Sequence, residues 1–572
     1  MKLSDYVAQF LQKQGIRYVF AISGGASVHL IQSIADIDGI DFICPQHEQA
    51  GAMAADGYAR MAGLGAAIST SGPGATNMVT GVAGAYYDSI PVIYITGQVN
   101  LSRIVKDSGV RQLGFQETAT TDIYKTITKY AVLIDDPKMI RYELEKAAHI
   151  ALSGRQGPVL VDIPDDIQRA EIEPNELRSF SPCGGSPLLP SVDECIELIS
   201  QAERPVVILG WGVSRVRAEA RGLVAKLNFP VAPTWAVMDM FPSSYPLLVG
   251  GFGTHGTRHG NFAVQNADLI LAIGTKLDSH ARGGDIKTFA PNAKKIVVDI
   301  DRYELAKYAR LGFEVDVLIH TDAQRFFQAM NQSGVELRDI TAWKTKIQQW
   351  KERYPIGKKI HRAVDPYGFV KSLSSLLSGG EVIVSDTGSA LAWLMQAFRF
   401  KENQRLIHDW NNTAMGWALP ASIGAHLATG KQIICVTGDG ALQMNIQELA
   451  TVIRHQFPIK IFLINNRGYT MLRQTQDEWL DSRYSASSVE GGLALPDFVE
   501  VARAYGFKTF TIGVGVDMDS EIERVLSTDG PAFCNVEIGP EHRVVPQLKY
   551  GRPIHDATPL LPRDEFEENI IA

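Results

Sequence analysis

QIICVTGDGALQMNIQELATVIRHQFPIKIFLINNRGYTM, residues 432–471, contains a complete strand–helix–strand unit. The apolar run Ile433–Val436 reads as a buried strand that stops at Gly438-Asp439-Gly440. A helical pattern follows, with Ile446, Leu449, Ala450 and Ile453 on one face and Asn445 as its expected N-cap. A second apolar run, Ile459–Ile464, ends at Asn465-Asn466. Asp439 and Asn466 thus both leave the carboxyl ends of parallel strands, the edge at which doubly wound sheets bind ligands. Asp and Asn offer the hard oxygens that Mg²⁺ takes together with phosphate oxygens. The glycines beside them let backbone approach a diphosphate. Gly-Asp-Gly alone is an ordinary tight turn, whereas Gly-Asp-Gly, a helix and Asn-Asn at this separation are far more specific.

Outward from this unit, the 572 residues exceed one hydrophobic core and call for about three or four domains. Apolar content of 45% and charged content of 21% are those of an ordinary globular protein. A net charge of −8, with no basic block, argues against nucleic acid or an anionic membrane as partner. Cysteines 44, 183, 195, 435 and 534 form no CxxC, so neither a disulfide framework nor a zinc site is expected. The amino terminus enters an amphipathic helix (Leu3, Val7, Phe10, Leu11) and no run is long and apolar enough to span a bilayer, so a cytoplasmic protein is expected.

Strands are predicted at Tyr18–Ile22, Asp41–Cys44, Ala66–Thr70, Val92–Thr96 and Val159–Ile163, then at Val206–Gly210, Leu269–Gly274 and Lys295–Asp299. A third set follows at Val382–Ser385, Ile433–Val436, Lys460–Ile464, Thr509–Ile512 and Phe533–Ile538. Strands alternating with helices predict an α/β protein of three doubly wound parallel-sheet domains. The expected boundaries are 1–175, 186–345 and 362–545, with a linker in 170–190 and a proline-rich arm, 546–572, over another surface. The first and third units have similar size and architecture.

In the first unit, His47-Glu48 opens the helix of HEQAGAMAADGYAR. A lone Glu in a first helical turn is ordinarily there for the macrodipole, and no second His makes this a zincin motif. Taken with TSGPGATNMVTGVAGAYYDSIPVIYITGQV, GFQET, SGRQGPVLVDIPDDIQ and the 432–471 block, the chain resembles, nearly end to end, the acetohydroxyacid (acetolactate) synthase branch of thiamine-diphosphate enzymes. The resemblance implies a pyrimidine-binding domain, a central flavin-binding-like domain and a diphosphate-binding domain. It makes Asp439, Asn466 and the carbonyl of Gly468 the Mg²⁺ ligands, with Gly438, Gly440 and Ala441 beside the diphosphate. Glu48 would hold the pyrimidine N1′ and favour the imino tautomer that removes the thiazolium C2 proton, acid–base help worth about 10²–10⁴-fold. Met415 would prop the bent cofactor, Thr413 would offer its carbonyl to the 4′-amino group, and Phe115 and Gln116 would line the reaction centre. Arg155, Gly210, Gly212, Thr275 and Asp299 match positions along FAD, which has no net redox role in the family. Gly210-Trp211-Gly212 stands where the family is usually all glycine, so Trp211 either crowds the flavin or stacks on it. The partners implied are a 2-ketoacid donor, pyruvate, and a carbonyl acceptor, in a homodimer or homotetramer with the active site between subunits.

Three departures bear on the acceptor. Lys276 replaces a carboxylate-binding Arg and cannot form its bidentate fork. Thr475 replaces an apolar Trp wall, and Asp165 reverses a charge after the VDIP segment. The donor machinery is intact while the acceptor site is rebuilt. The segments NNRGYTMLRQTQ and GRPIHDATPLLPR further resemble the sub-branch that places a two-carbon unit on a nucleotide-linked ketosugar. The expectation is a carboligase that joins the two-carbon unit to a second pyruvate or to a ketone or ketosugar. The alternatives are a simple decarboxylase and a degenerate regulatory paralogue.

Overall fold

Long apolar, β-branched runs need cover on both faces, and the chain provides it by alternating them with helices. The result, in a computed structural model that describes residues 1–105, 109–182, 189–357, 364–549 and 551–571, is three all-parallel sheets. The first contains β1 (Tyr18–Ala21), β2 (Asp41–Ile43), β3 (Gly65–Ser69), β4 (Val92–Gln98), β5 (Tyr130–Leu133) and β6 (Val159–Pro164), ordered β2-β1-β3-β4-β6-β5. The central sheet contains β7 (Pro205–Leu209), β8 (Val231–Pro233), β9 (Leu269–Ile273), β10 (Lys294–Asp299) and β11 (Val317–His320), ordered β11-β10-β9-β7-β8. The third contains β12 (Val382–Ser385), β13 (Arg405–Ile407), β14 (Ile433–Gly438), β15 (Ile459–Asn465), β16 (Lys508–Ile512) and β17 (Ala532–Glu537), ordered β13-β12-β14-β15-β17-β16. Counted from its own first strand, the third sheet repeats the order of the first. Strand order reverses between β1 and β3, β7 and β9, and β12 and β14, which opens a crevice at the carboxyl edge of each sheet.

The predicted strands are present within a residue or two. Four strands were not predicted, β5, β8, β11 and β13, and all lie at sheet edges. Their half-buried or three-residue sequences lack the continuous apolar run that marks an interior strand.

Asn445 is not the N-cap expected of it. One short helix, Asp439–Met444, begins at the Gly-Asp-Gly turn and Asn445 closes it; a second, Glu448–His455, starts after Gln447. The amide of Asn445 is drawn elsewhere, donating to the Gly416 carbonyl at 2.8 Å and accepting from Gln49 at 3.4 Å.

The first and third units share one apolar core, joined where helix Glu48–Ala62 crosses helix Ala418–Thr429. The crossing is close because both helices carry small residues. A Cβ on Gly57 would sit 2.4 Å from the Ala421 carbonyl oxygen, and one on Gly424 2.0 Å from that of Ala54. The tail after 546 lies on the central unit, where Leu548 and Ile554 enter its core. Asn569 is buried there, accepting from the Trp350 indole at 2.6 Å and donating to the Tyr354 hydroxyl at 2.9 Å. The linker of 170–190 falls partly outside the described residues, as does Cys183; Cys44, Cys195, Cys435 and Cys534 are free thiols. Among the described residues no helix is long and apolar enough to cross a membrane.

Candidate active site

At the carboxyl edge of the third sheet, β14 delivers Asp439 and β15 delivers Asn466 from neighbouring parallel strands. Asp439 is buried, and its carboxylate accepts the Gly440 N–H at 2.6 Å and the Gly468 N–H at 3.0 Å. Burial pushes its carboxyl up to about 6, partly countered by the backbone N–H groups of Gly468 and Gly440. The Asn466 amide nitrogen reaches Ser389 Oγ at 3.5 Å, while its Oδ1 is buried with no hydrogen-bond partner. A buried carboxylate beside an unpaired amide oxygen is a donor set with an unmet demand, and Mg²⁺ fits that demand.

At Gly440 and Gly468 the surroundings leave no room for a side chain. Gly468 has φ 139°, and a Cβ there would meet Ser487 O at 2.3 Å; one on Gly440 would meet the Tyr469 ring at 2.0 Å. Gly438 faces open space, and Ala441 is buried in the helix behind it. Two residues that sequence reasoning missed hold this edge. Asp386, leaving β12, accepts from Gly416 N at 3.0 Å and Thr437 Oγ1 at 3.1 Å, and so ties the Thr413–Gly416 loop to β14. Arg473 donates to the carbonyls of Asn466 (3.1 Å) and Arg467, clasping the loop between the two glycine-bearing turns. Asp386-Thr387-Gly388-Ser389, an acidic glycine turn after a strand, was the available signal for the first. Thr413 lies on that loop with φ 51°, exposed, and Met415 beside it is half-buried.

The second cluster belongs to the first unit. Glu48 starts its helix, with His47 capping it through a 3.1 Å hydrogen bond accepted from the Gln49 N–H. Glu48 Oε2 accepts from the Asn77 amide at 2.9 Å, an interaction with no separate sequence signal. Gln116, with φ 63°, packs on Gly72 of the same region, while Phe115 is 86% exposed. Within one chain the two clusters are tied by Glu448, whose Oε1 accepts the Gln46 N–H at 2.9 Å, and by the Gln49–Asn445–Gly416 chain.

A groove of about 390 Å³ opens at the central switch point. Gly210, Gly212, Thr275, Lys276, Asp299 and Arg155 are all in its wall. The turns after β7 and β9 touch closely: a Cβ on Gly210 would meet Gly274 O at 2.3 Å. Asp299 leaves β10, its carboxyl raised to about 6 by burial. Arg155 is engaged by Asp301 (3.1 Å) and Glu304 (2.9 Å). Glycine turns and an acid at a strand end are what a dinucleotide asks of such a crevice, so the residues fit FAD. Burial lowers the Lys276 ammonium from its ordinary value. Thr475 is exposed on helix Thr470–Trp479 and is not in this wall. Asp165 is half-buried, with Oδ1 unpaired and Oδ2 3.5 Å from Arg169.

Three family models match in chain order. They are the thiamine pyrophosphate enzyme N-terminal TPP binding domain (residues 1–123), central domain (192–330) and C-terminal TPP binding domain (386–536). The chain is 33% identical over 555 residues to acetolactate synthase isozyme 1 large subunit of Escherichia coli strain K12, covering 96% of each. It is 32% identical to acetolactate synthase 2, chloroplastic, of Nicotiana tabacum (97% of this chain, 85% of that protein). It is also 32% identical to acetolactate synthase, chloroplastic, of Arabidopsis thaliana (97% and 84%).

Proposed function

Because the chain belongs to the thiamine-diphosphate-dependent acetolactate synthase family as a catalytic subunit, we propose that Asp439, Asn466 and Gly468 hold Mg²⁺ and the diphosphate, and that Glu48 activates the cofactor. The enzyme decarboxylates pyruvate and joins the two-carbon unit to a carbonyl acceptor. The observation that carries the site assignment is the pairing of the buried Asp439 carboxylate with the unpartnered Asn466 Oδ1 at the carboxyl ends of β14 and β15, next to the β12/β14 switch point.

Bound thiamine diphosphate supplies the electron sink for loss of the donor's carboxylate. The chain's own residues do the rest. Asp439 and Asn466 present oxygens to the metal, and Arg473 and Asp386 keep the loops that carry them in place. Glu48, oriented by Asn77, holds a proton at the pyrimidine ring. Glu48 and Phe115 belong to the first unit and the metal ligands to the third. In our reading two copies of the chain complete each site, with Phe115 reaching the other copy. FAD in the central groove is part of the same reading, supported by the glycine turns and Asp299.

The acceptor reading follows from Lys276 and Thr475. A lysine offers a point charge instead of a fork, and a threonine offers no aromatic wall, so discrimination between acceptors falls by the order of one pocket contact each. The test is purified enzyme with Mg²⁺, thiamine diphosphate and labelled pyruvate, offered 2-ketoacids, ketones and nucleotide-linked ketosugars. Little preference for 2-ketobutyrate over pyruvate is expected, with product from at least one uncharged ketone. Thr475→Trp should restore the preference and exclude the bulkier ketone. Strong 2-ketobutyrate preference in the parent with no ketone product would leave a plain acetolactate synthase.

A further inference from the structure

Trp211 sits in a turn that has no freedom to move it. Gly210 and Gly212 on either side are pressed against the β9 turn, where added Cβ atoms would come within 2.3 Å of Gly274 O and 2.7 Å of Gly274 Cα. The indole packs against the central core and also against the core shared by the other two units, yet it stays half-buried in the wall of the groove. Its ring centre lies 4.6 Å from that of Trp410, which reaches the same wall from the third unit. Trp410 is fixed in turn. Its backbone N–H donates to Asp88 at 3.1 Å, and the Arg60 guanidinium lies 4.4 Å from its ring centre. Arg60 is fully buried and pinned by Asp56 (2.9 Å), Asp88 (2.8 Å) and the His408 carbonyl (2.7 Å). The two indoles are tilted 44° to one another, and the row Arg60–Trp410–Trp211 runs as one packed series from a buried ion cluster to the groove.

We propose that Trp211, backed by Trp410 and Arg60, is a platform on which the planar heteroaromatic ring of a bound nucleotide stacks. The inference rests on the reading of the central groove as a nucleotide site and adds the residue that grips the ring. An indole held in one orientation loses no rotamer freedom on binding, so its contact with a π-face is worth more than that of a mobile side chain. Asp299, at the end of β10 in the same wall, is placed to accept from ribose or ribityl hydroxyls. Two sources share this chemistry, the flavin of FAD and the base of a nucleotide-linked sugar, and one experiment separates them.

Parent, Trp211→Gly and Trp211→Phe proteins are titrated with FAD and, separately, with ADP, CDP, UDP and dTDP. Affinity is read by calorimetry and flavin emission by fluorescence. With FAD as occupant, the flavin should be nearly dark in the parent, because an indole in van der Waals contact quenches it, and several-fold brighter in Trp211→Gly. Affinity for the occupant should fall about 5- to 100-fold in Trp211→Gly, the scale of one ring-on-aromatic contact, and recover largely in Trp211→Phe. FAD binding with equal affinity and equal emission in parent and Trp211→Gly would overturn the platform and leave the flavin reading standing. Binding of a nucleoside diphosphate but not FAD, weakened by Trp211→Gly, would reject the flavin reading and keep the platform. Binding of neither to the parent would overturn both. Recovery in Trp211→Phe separates a lost contact from a misfolded turn.

Discussion

Glu48 shows what a single residue can and cannot announce. Its oxygen is held by the Asn77 amide at 2.9 Å, so the carboxyl has a set direction before any cofactor arrives. Glu48→Gln keeps the shape and an acceptor oxygen but loses the carboxylate. Thiamine diphosphate should bind the variant nearly as well as the parent, while exchange of the cofactor's C2 proton for deuterium slows by about 10²–10⁴-fold. Proton magnetic resonance of quenched samples measures the exchange, and parent-like rates would mean that another group is the activator. Asp439 and Asn466 stand out as candidates in the sequence because they lie in a local motif of fixed spacing, and Glu48 stands out only through the resemblance. Asp386 had a signal in its acidic glycine turn that went unread, whereas Asn77, Arg473 and Trp410 had none. Their roles arise only when segments far apart in the chain meet, as when Trp410 reaches Trp211 across two units.

At the scale of elements, every interior strand was legible, while four of the six edge strands were not. β14 and β15, buried along nearly their whole length, are continuous apolar runs; β11 alternates exposed and buried positions and β13 is three residues long. Helix contacts were less legible still, since Ala- and Gly-rich stretches in 50–63 and 418–430 fit any crowded interface. The structure gives those glycines a use. Gly424 lies against the backbone of Ala54, where a Cβ would come within 2.0 Å of the carbonyl oxygen, and backbone cannot swing aside as a side chain can. Gly424→Ala should therefore destabilise by about 1–3 kcal/mol or more through overpacking, despite alanine's better helix propensity. Gly222, inside helix Arg217–Leu227 with nothing within 4 Å of an added Cβ, is the control. Gly222→Ala should stabilise by about 0.5–1 kcal/mol. Thermal unfolding of the two variants beside the parent checks the pair. Equal shifts of one sign would mean that the close crossing carries no strain.

At the scale of the molecule, the repeated strand order of the first and third sheets gives each a crevice at its carboxyl edge, and the central unit is clamped to the third by buried contacts. One clamp is His408, at the end of β13, whose Nε2 lies 3.0 Å from the Trp235 carbonyl of the central unit. The geometry requires that nitrogen to carry the proton and donate. The ring's other nitrogen, Nδ1, is buried without a partner. Burial, helped by the nearby Arg60 charge and opposed by the Trp235 carbonyl and Asp239, lowers the imidazole to about 4. In the unfolded chain a histidine titrates near 6.5. Above that pH both states are neutral at this ring and it contributes no pH dependence. Between about 6.5 and 4 the unfolded chain binds a proton that the folded one refuses, so stability is lost as pH falls through that window. Other buried groups titrate nearby, and the acids Asp162 and Glu448, each raised to about 7, act in the opposite direction. The sign for His408 is therefore best read as a difference between two proteins that share all the other groups. His408→Gln keeps a donor of similar reach towards Trp235 and cannot be protonated. On acidification from pH 7.5 to 5 the parent should lose stability relative to His408→Gln by on the order of 1.4 kcal/mol per pH unit below 6.5. Parallel unfolding curves at the two pH values measure the gap between midpoints. A gap that does not change with pH would mean that this ring is solvated or already protonated in the folded protein.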